Sequence, residues 1–532
     1  MSELKSKLDS ATKLAARGRI SRRDFVQLAI AAGLTVPAAT ALFTKAVRAE
    51  PKKGGTLRMG LGHGATTDSL DPATYPDQMT GTVGWGSAGN ALTEVDPKGN
   101  VIPDLAESYE PSDGAAKWVF KIRKGVTFHN GKTVTANDVV ESFRHHMGEE
   151  SKSAAKSILA AVKELKADGQ DTVVFTLSGG NADFPYLVSD YHLPIMPAKD
   201  GGGVDWESCI RTGPYMLDKW EPGVRATMKR NPNYYRDAWF DEVEINTITD
   251  VAARTNALTS GEIDFMDRCE LKTVDLLKQN SDLEIDQQTG YGHYILVMNV
   301  TQAPFDDPDV RNALKYAIDR EAIAKKIFHG YGQVGNDNPI APSIKFATNP
   351  EPVHKYDPEM AKSLLKKAGL ETLKIDLSAA DVAFAGAVDA CTLLQDSAKA
   401  AGIEINIIKE ADDSYWDVVW LKKPFLASYW NGRPTCDWMF TTAYAADSPW
   451  NDTFWKNPRF NELLLQARSE TDDTKRAAMY AEMQQLVHDD GGLITILFNA
   501  YVSAHSKKIA HGEVGSNWDD DGMKLPARWW QA

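Results

Sequence analysis

Residues 54–60, a run opening on Gly54-Gly55-Thr56-Leu57, read as the first strand of the chain, and from about residue 91 to 177 short strands dominate. Trp118-Val119-Phe120-Lys121-Ile122-Arg123 sets Trp118, Phe120 and Ile122 at every second position, the period of a strand with one buried face. Residues 171–177 read as another strand. Between them Thr135-Ala136-Asn137-Asp138 leads into Val139-Val140-Glu141-Ser142-Phe143, a capped helix start. Beyond Thr212-Gly213-Pro214-Tyr215 the period changes to mixed helix and strand. Residues 250–260 predict a helix stopped by Gly261, followed by strand 263–265. Tyr294-Ile295-Leu296-Val297-Met298-Asn299-Val300 is almost continuously apolar and suits a strand buried on both faces.

Asp306-Asp307-Pro308 starts a helix with proline in its first turn, and Val310, Leu314, Ala317 and Ile318 line one face. Further helices are predicted at 320–329, from Tyr356-Asp357-Pro358 to Gly369, and at 388–401 up to Gly402, which precedes strand 403–408. Helices near 460–467 and 473–488 precede strand 493–498, and the chain ends on Trp529-Trp530-Gln531-Ala532. This β–α–β alternation predicts α/β domains. There is no internal repeat and no low-complexity segment.

The first 49 residues differ from the rest. Ser21-Arg22-Arg23-Asp24-Phe25-Val26-Gln27 stands before the apolar stretch 28–43, which Gly33 and Pro37 interrupt, and Val47-Arg48-Ala49 offers a small-residue cleavage site ahead of Glu50. That order is a bacterial twin-arginine export signal. An uncleaved N-terminal helix is the alternative. The stretch is short for a membrane anchor, and no other run approaches the length a spanning helix needs. The first cysteine is Cys209, so none stands near the cleavage site to carry a lipid.

Residues 1–49 hold nine Lys/Arg against three Asp/Glu, so the net charge of −14 becomes −20 for the 483 residues that follow. Such a surface disfavours nucleic acid and anionic membrane as partners. The length predicts two or more domains. Cys209, Cys269, Cys391 and Cys436 are widely spaced without a CxxC, which leaves their pairing open. The eleven histidines show no ligand spacing along the sequence, and His129 reads as a structural histidine rather than a metal ligand. No metal and no cofactor are expected.

Several blocks, in order, resemble one family. They are Leu92-Thr93-Glu94, Pro103-Asp104-Leu105-Ala106-Glu107-Ser108-Tyr109, Trp118-Val119-Phe120 and Ile122-Arg123-Lys124-Gly125-Val126-Thr127-Phe128-His129-Asn130-Gly131. Thr135-Ala136-Asn137-Asp138-Val139, Thr212-Gly213-Pro214-Tyr215, Arg230-Asn231-Pro232-Asn233-Tyr234-Tyr235, Asp309-Val310-Arg311-Asn312-Ala313-Leu314 and Ala317-Ile318-Asp319-Arg320 continue them. Together they are similar to the extracytoplasmic substrate-binding proteins of ABC importers, in the peptide/opine/nickel class (bacterial extracellular solute-binding proteins, family 5). The resemblance spans essentially all of the chain after the leader. It implies an α/β, two-lobed periplasmic binding protein type II-like fold with an extra α+β domain inserted in the first lobe. The expected divisions are 1–49 as signal, 50–90, 205–297 and 499–532 as first lobe, 91–204 as inserted domain, and 298–498 as second lobe. The strands crossing between lobes are expected near 296–300 and 494–498. The implied function is periplasmic capture of a peptide or peptide-like small molecule by hinge closure, with delivery to an ABC permease in the inner membrane by a monomer.

The same resemblance points to a ligand loop, Tyr429-Trp430-Asn431-Gly432-Arg433-Pro434-Thr435-Cys436-Asp437-Trp438. Dipeptide-binding relatives carry an Asp for the ligand's amino terminus where this chain has Arg433, and an Arg for the carboxylate where this chain has Asp381. A guanidinium cannot hold an ammonium, but its planar fork suits a carboxylate or phosphate. The exchange argues against a standard dipeptide and leaves room for an opine, a modified peptide or another polyfunctional anion. Arg433 could instead form an interdomain salt bridge, and Asp381 could cap a helix. Trp430, Asn431, Gly432, Asp437 and Trp438 complete the candidate loop. Tyr75 and Trp85 from the first lobe, with the glycine-rich segment 81–89, are expected across the cleft, and Asn299 beside the hinge.

Two other classes compete: a periplasmic hydrolase and a protein presenting its ligand to a chemosensory receptor. The hydrolase lacks a G-x-S-x-G, an H-E-x-x-H or a recognisable Cys/His arrangement.

Overall fold

Aspartates set the start of most long helices. In the computed structural model, which describes residues 51–532 throughout and, before them, residues 11, 22–32, 34, 35 and 39, the Asp250 side chain accepts the Ala253 N–H and opens helix Val251–Ser260, which Gly261 ends at φ 78°. Asp307 and Asp357 cap Pro308–Ala317 and Pro358–Lys367 in the same way, each with proline in the first turn. Thr135 and Asp138 form a reciprocal capping box ahead of Ala136–Arg144.

An eleven-stranded sheet runs through both lobes. On one side Leu373–Ala379 pairs in parallel with Ile403–Lys409, the two joined through helix Ala387–Ala398, and Phe425–Trp430 follows. On the other side Thr56–Leu61 lies parallel to Phe265–Met266 and Glu242–Thr247. The link is one antiparallel pair of long strands, Leu283–Met298 and Leu493–Ser506. Residues 106–177 build a separate four-stranded antiparallel sheet whose core includes Trp118, Phe120, Phe143 and Phe175. This is the two-lobed α/β architecture with an inserted domain that the sequence predicts.

The handover between lobes falls earlier on the first strand than expected. Leu283, Ile285, Val502 and Ala504 pack in the first lobe, whereas residues 295–298 and 493–498 lie wholly in the second-lobe core. The register of the pair breaks between Thr289 and His293, at Gly290 and Gly292, and that is where the two cores separate. The apolar run 294–300 marked the buried half of the strand, not its crossing.

All four cysteines are buried and free. Among the described residues no helix is long and apolar enough to cross a membrane. Arg22–Ala31 is helical, while the cleavage triplet Val47-Arg48-Ala49 and Glu50 lie outside the described residues.

Candidate functional site

Strand Phe425–Trp430 lies beside the shared strand, with Trp430 opposite His293, and the chain leaves the sheet there. Residues 431–434 turn, and Thr435 caps helix Cys436–Ala443 by accepting the Trp438 N–H. A Cβ on Gly432 would stand 2.0 Å from the Tyr291 Cβ, so only glycine lets the loop lie this close to the shared strand. The turn borders a cavity of about 720 Å³, ample for a small organic molecule.

Two cations line this wall: Arg468, paired with Asp437, and Arg433. The Arg433 Nη1 donates to the carbonyls of Asn431 at 2.8 Å and Gly432 at 3.2 Å, and its guanidinium lies 5.9 Å from the Trp438 ring. Among the described residues it enters no ion pair, so the interdomain salt bridge is not what holds it. Burial pulls its pKa below the ordinary arginine value, and the field of Asp190 opposes that pull. Arginine does not discharge in proteins, so this half-buried, unpaired charge favours an anion.

The inserted domain supplies the opposite wall. Asp190 accepts from His192 Nδ1 at 2.7 Å, and the other ring nitrogen meets the Tyr75 carbonyl at 3.2 Å. Tyr191 meets the Trp518 ring edge-on at 5.4 Å, which brings the C-terminal tail into the cavity. Trp450, 49% exposed, forms an apolar rim on the second lobe. Residues 182 and 468 bridge the two bodies directly, the Ala182 N–H donating to the Arg468 carbonyl at 2.7 Å.

Three comparisons bear on this geometry. The family model of bacterial extracellular solute-binding proteins, family 5 Middle, matches residues 100–452. The chain belongs to this family. The glutathione-binding protein GsiB of Pectobacterium atrosepticum is 26% identical over 471 residues, covering 84% of this chain and 89% of that protein. Among solved structures, the periplasmic binding protein DppA of Helicobacter pylori, in complex with the peptide STSA, superposes with a TM-score of 0.68 at 23% identity, covering 92% of this chain and 100% of that one. AgaA of A. tumefaciens R10, in complex with agropinic acid, gives 0.69 at 24% identity, covering 90% and 99%. At these identities the two structures speak for the fold alone.

Of the predicted ligand residues, the cavity of this solute-binding protein is lined by Gly432, Arg433, Asp437 and Trp438. Asp437 is already engaged, accepting from Arg468 Nε at 3.0 and 3.3 Å, and burial lifts its pKa to about 6 against the pull of that arginine. Trp430 is not wall but backing: it is 7% exposed, in the second-lobe core, with its ring 6.2 Å from Trp450. Asn431 is exposed and contributes its carbonyl to Arg433.

Four candidates sit elsewhere. Asp381 is exposed, and its Oδ1 accepts the Val388 N–H in the first turn of helix Ala387–Ala398, which gives it a capping role. Asn299 folds its Oδ1 back onto Thr301 N–H and Oγ1 at 3.0 and 2.7 Å, an Asx turn. Tyr75 and Trp85 are buried scaffold. The Tyr75 hydroxyl donates to the Leu70 carbonyl, and the Lys524 ammonium lies 4.0 Å from the Trp85 ring centre. Nor is 81–89 an anion-binding loop. It continues helix Gln78–Gly81 as a π-helical turn, Thr82–Ser87, and is buried throughout.

Asp190, His192 and Trp518 also line the candidate cavity, and sequence reading missed them. Asp190-Tyr191-His192, a polar and aromatic cluster just ahead of Pro194, was a usable signal. Trp518 was marked by the three aspartates that follow it. Asp520 and Asp521 adopt φ values of 55° and 56°, and burial lifts the Asp520 pKa well above the ordinary range. Strained, buried acids of this kind gather at functional clefts.

Proposed function

We propose that this solute-binding protein captures a peptide-like organic anion between its lobes, closes on it, and delivers it to an ABC permease of the inner membrane. The observation that carries the reading is Arg433, a half-buried guanidinium on the cavity wall without a carboxylate partner among the described residues. A carboxylate seated there gains a bidentate, charge-assisted contact. The aromatic surfaces of Trp438, Trp450 and Trp518 cover the apolar body of such a ligand. GsiB, by its name, binds glutathione, and the AgaA structure holds agropinic acid.

The test is to titrate the purified protein with glutathione, agropinic acid and trialanine, following tryptophan fluorescence and recovering each compound for mass spectrometry. The proposal expects one of the two acids to shift fluorescence, bind more tightly than trialanine and return intact. Conversion of any compound identifies an enzyme instead, and equal binding of trialanine removes the specificity argument.

We also infer export by the twin-arginine route, from Arg22 and Arg23 ahead of the apolar stretch. Replacing both with Lys abolishes periplasmic recovery on this reading; normal recovery contradicts it.

A further inference from the structure

His505 and His511, close together in sequence, meet the distant Asp286 at one point of the first lobe, away from the cavity. Asp286 stands on strand Leu283–Met298, paired with Ser503, and His505 lies two residues further along Leu493–Ser506. His511 follows the short strand Ile509–Ala510. Asp286, His505 and His511 each place one ligand atom within 4.8 Å of the other two.

The hydrogen bonds of the two rings decide what this cluster is for. His505 Nδ1 meets the Ser506 carbonyl at 3.0 Å and His511 Nδ1 meets the Gly512 carbonyl at 2.8 Å. A carbonyl accepts only, so each Nδ1 carries a proton, and in the neutral ring each Nε2 offers a lone pair. Both Nε2 atoms face the Asp286 carboxylate. Asp286 Oδ2 is 3.2 Å from His505 Nε2, and Oδ1 is 3.3 Å from His511 Nε2.

With protonated rings these contacts are ion pairs, and against the pull of burial Asp286 does raise the His511 pKa. The His505 side chain is 2% exposed, yet its Nε2 is buried with no hydrogen-bond partner, and so is Asp286 Oδ2 beside it. A metal ion bonded to His505 Nε2 and to the carboxylate would satisfy both buried atoms. Ligands bound at 2.0–2.2 Å around a tetrahedral ion are about 3.4 Å apart, close to both separations. The Nδ1–H to carbonyl bonds are the outer contacts that fix metal-binding imidazoles.

We propose that Asp286, His505 and His511 form a binding site for a divalent transition-metal ion of the zinc class. Two imidazoles and one carboxylate suit Zn2+ and disfavour Mg2+ or Ca2+. Three protein ligands leave a fourth position, which water fills on the partly exposed side of Asp286 and His511. The ion ties the two shared strands to the C-terminal tail, since Trp529 lies 4.2 Å from the His511 ring and 5.0 Å from that of His505. The site is structural and independent of the ligand cavity.

The experiment uses the full protein dialysed against chelator. Zn2+ alone is titrated by calorimetry with melting temperature read in parallel, and Co2+ is added as a spectroscopic probe. One equivalent of Zn2+ is expected to bind and raise the melting temperature, with tetrahedral cobalt bands appearing at the same stoichiometry. His511→Ala and Asp286→Asn, both at partly exposed positions and checked for folding by circular dichroism, are each expected to weaken Zn2+ by at least tenfold and remove the cobalt bands. If one of them fails to fold, the other carries the test. Absence of Zn2+ binding to the parent protein, or unchanged affinity in a folded variant, overturns the site.

Discussion

Arg476 Nη2 donates to Asp183 Oδ1 at 2.6 Å, and this buried ion pair fastens the inserted domain to the second lobe. The two side chains are 5% and 6% exposed. Asp183 stands ahead of helix Phe184–Leu187 in the inserted domain, and Arg476 rises from helix Asp473–Asp490 across the cleft. The pair closes the same gap that the Ala182–Arg468 backbone bond spans. In the proposed hinge opening both charges reach water, so the pair is expected to latch the closed form.

Removing one partner of such a pair leaves the other buried and uncompensated, at a cost of about 3–5 kcal/mol. Asp183→Asn therefore favours the open form. Small-angle scattering of the unliganded variant is expected to show a larger particle than the parent, with weaker ligand binding and little change in the melting of the separate lobes. An identical scattering curve removes the latch.

Trp430 and Trp450 separate packing from recognition. Trp430 belongs to the second-lobe core, and truncation to Ala costs about 3–5 kcal/mol of stability. Trp450 is half-exposed on the cavity rim, and Trp450→Ala is expected to leave the melting temperature nearly unchanged while weakening the ligand about tenfold. Measuring melting and affinity on both variants checks the assignment; the reversed pattern places Trp430 in the wall after all.

Acid acts on three buried imidazoles. His129 donates through Nε2 to the Gly213 carbonyl and accepts the Arg211 N–H at Nδ1, so protonation sets one N–H against another. Burial lowers its pKa to about 4, that of His146 to about 3 and that of His293 to about 4. The unfolded chain takes up these protons near pH 6.5, before the folded one does. Stability is therefore full above about pH 6.5 and is lost as pH falls towards 4, by about 3 kcal/mol for His129 alone. Melting temperature measured from pH 7.5 to 4.5 is expected to fall, and His129→Gln to flatten part of the slope. A flat parent profile contradicts the neutral assignment.

Much of the fold was legible because its signals are local. Asp250 with Gly261, Asp307-Pro308 and Asp357-Pro358 state where helices begin and end within a few residues of themselves. The glycine segment 81–89 misled for a physical reason. Its glycines serve close packing, not loop freedom: a Cβ on Gly84 would stand 1.8 Å from the Tyr75 hydroxyl oxygen. The lobe crossing misled because residues 283–289 alternate core positions such as Leu283 and Ile285 with polar ones, without the apolar run that marks the strand's second half.

The site was half legible. Gly432, Arg433, Asp437 and Trp438 come from one contiguous loop, which a resemblance can locate. The facing wall joins Asp190 and His192 to Trp518, more than three hundred positions away, and only the fold brings those together. The metal cluster is hidden in the same way, since Asp286 meets His505 only through strand register.

Arg433 carries the account of ligand capture, and its truncation tests that account most directly. The measurement is the affinity of Arg433→Ala for the anionic ligand that binds the parent protein, with melting temperature taken on the same samples. Loss of an enclosed charged contact is expected to cost about 2–5 kcal/mol of binding, with the unliganded melting temperature unchanged and Arg433→Lys recovering affinity only in part. An Arg433→Ala protein that binds as tightly as the parent, or one that loses stability while keeping its affinity, contradicts the claim.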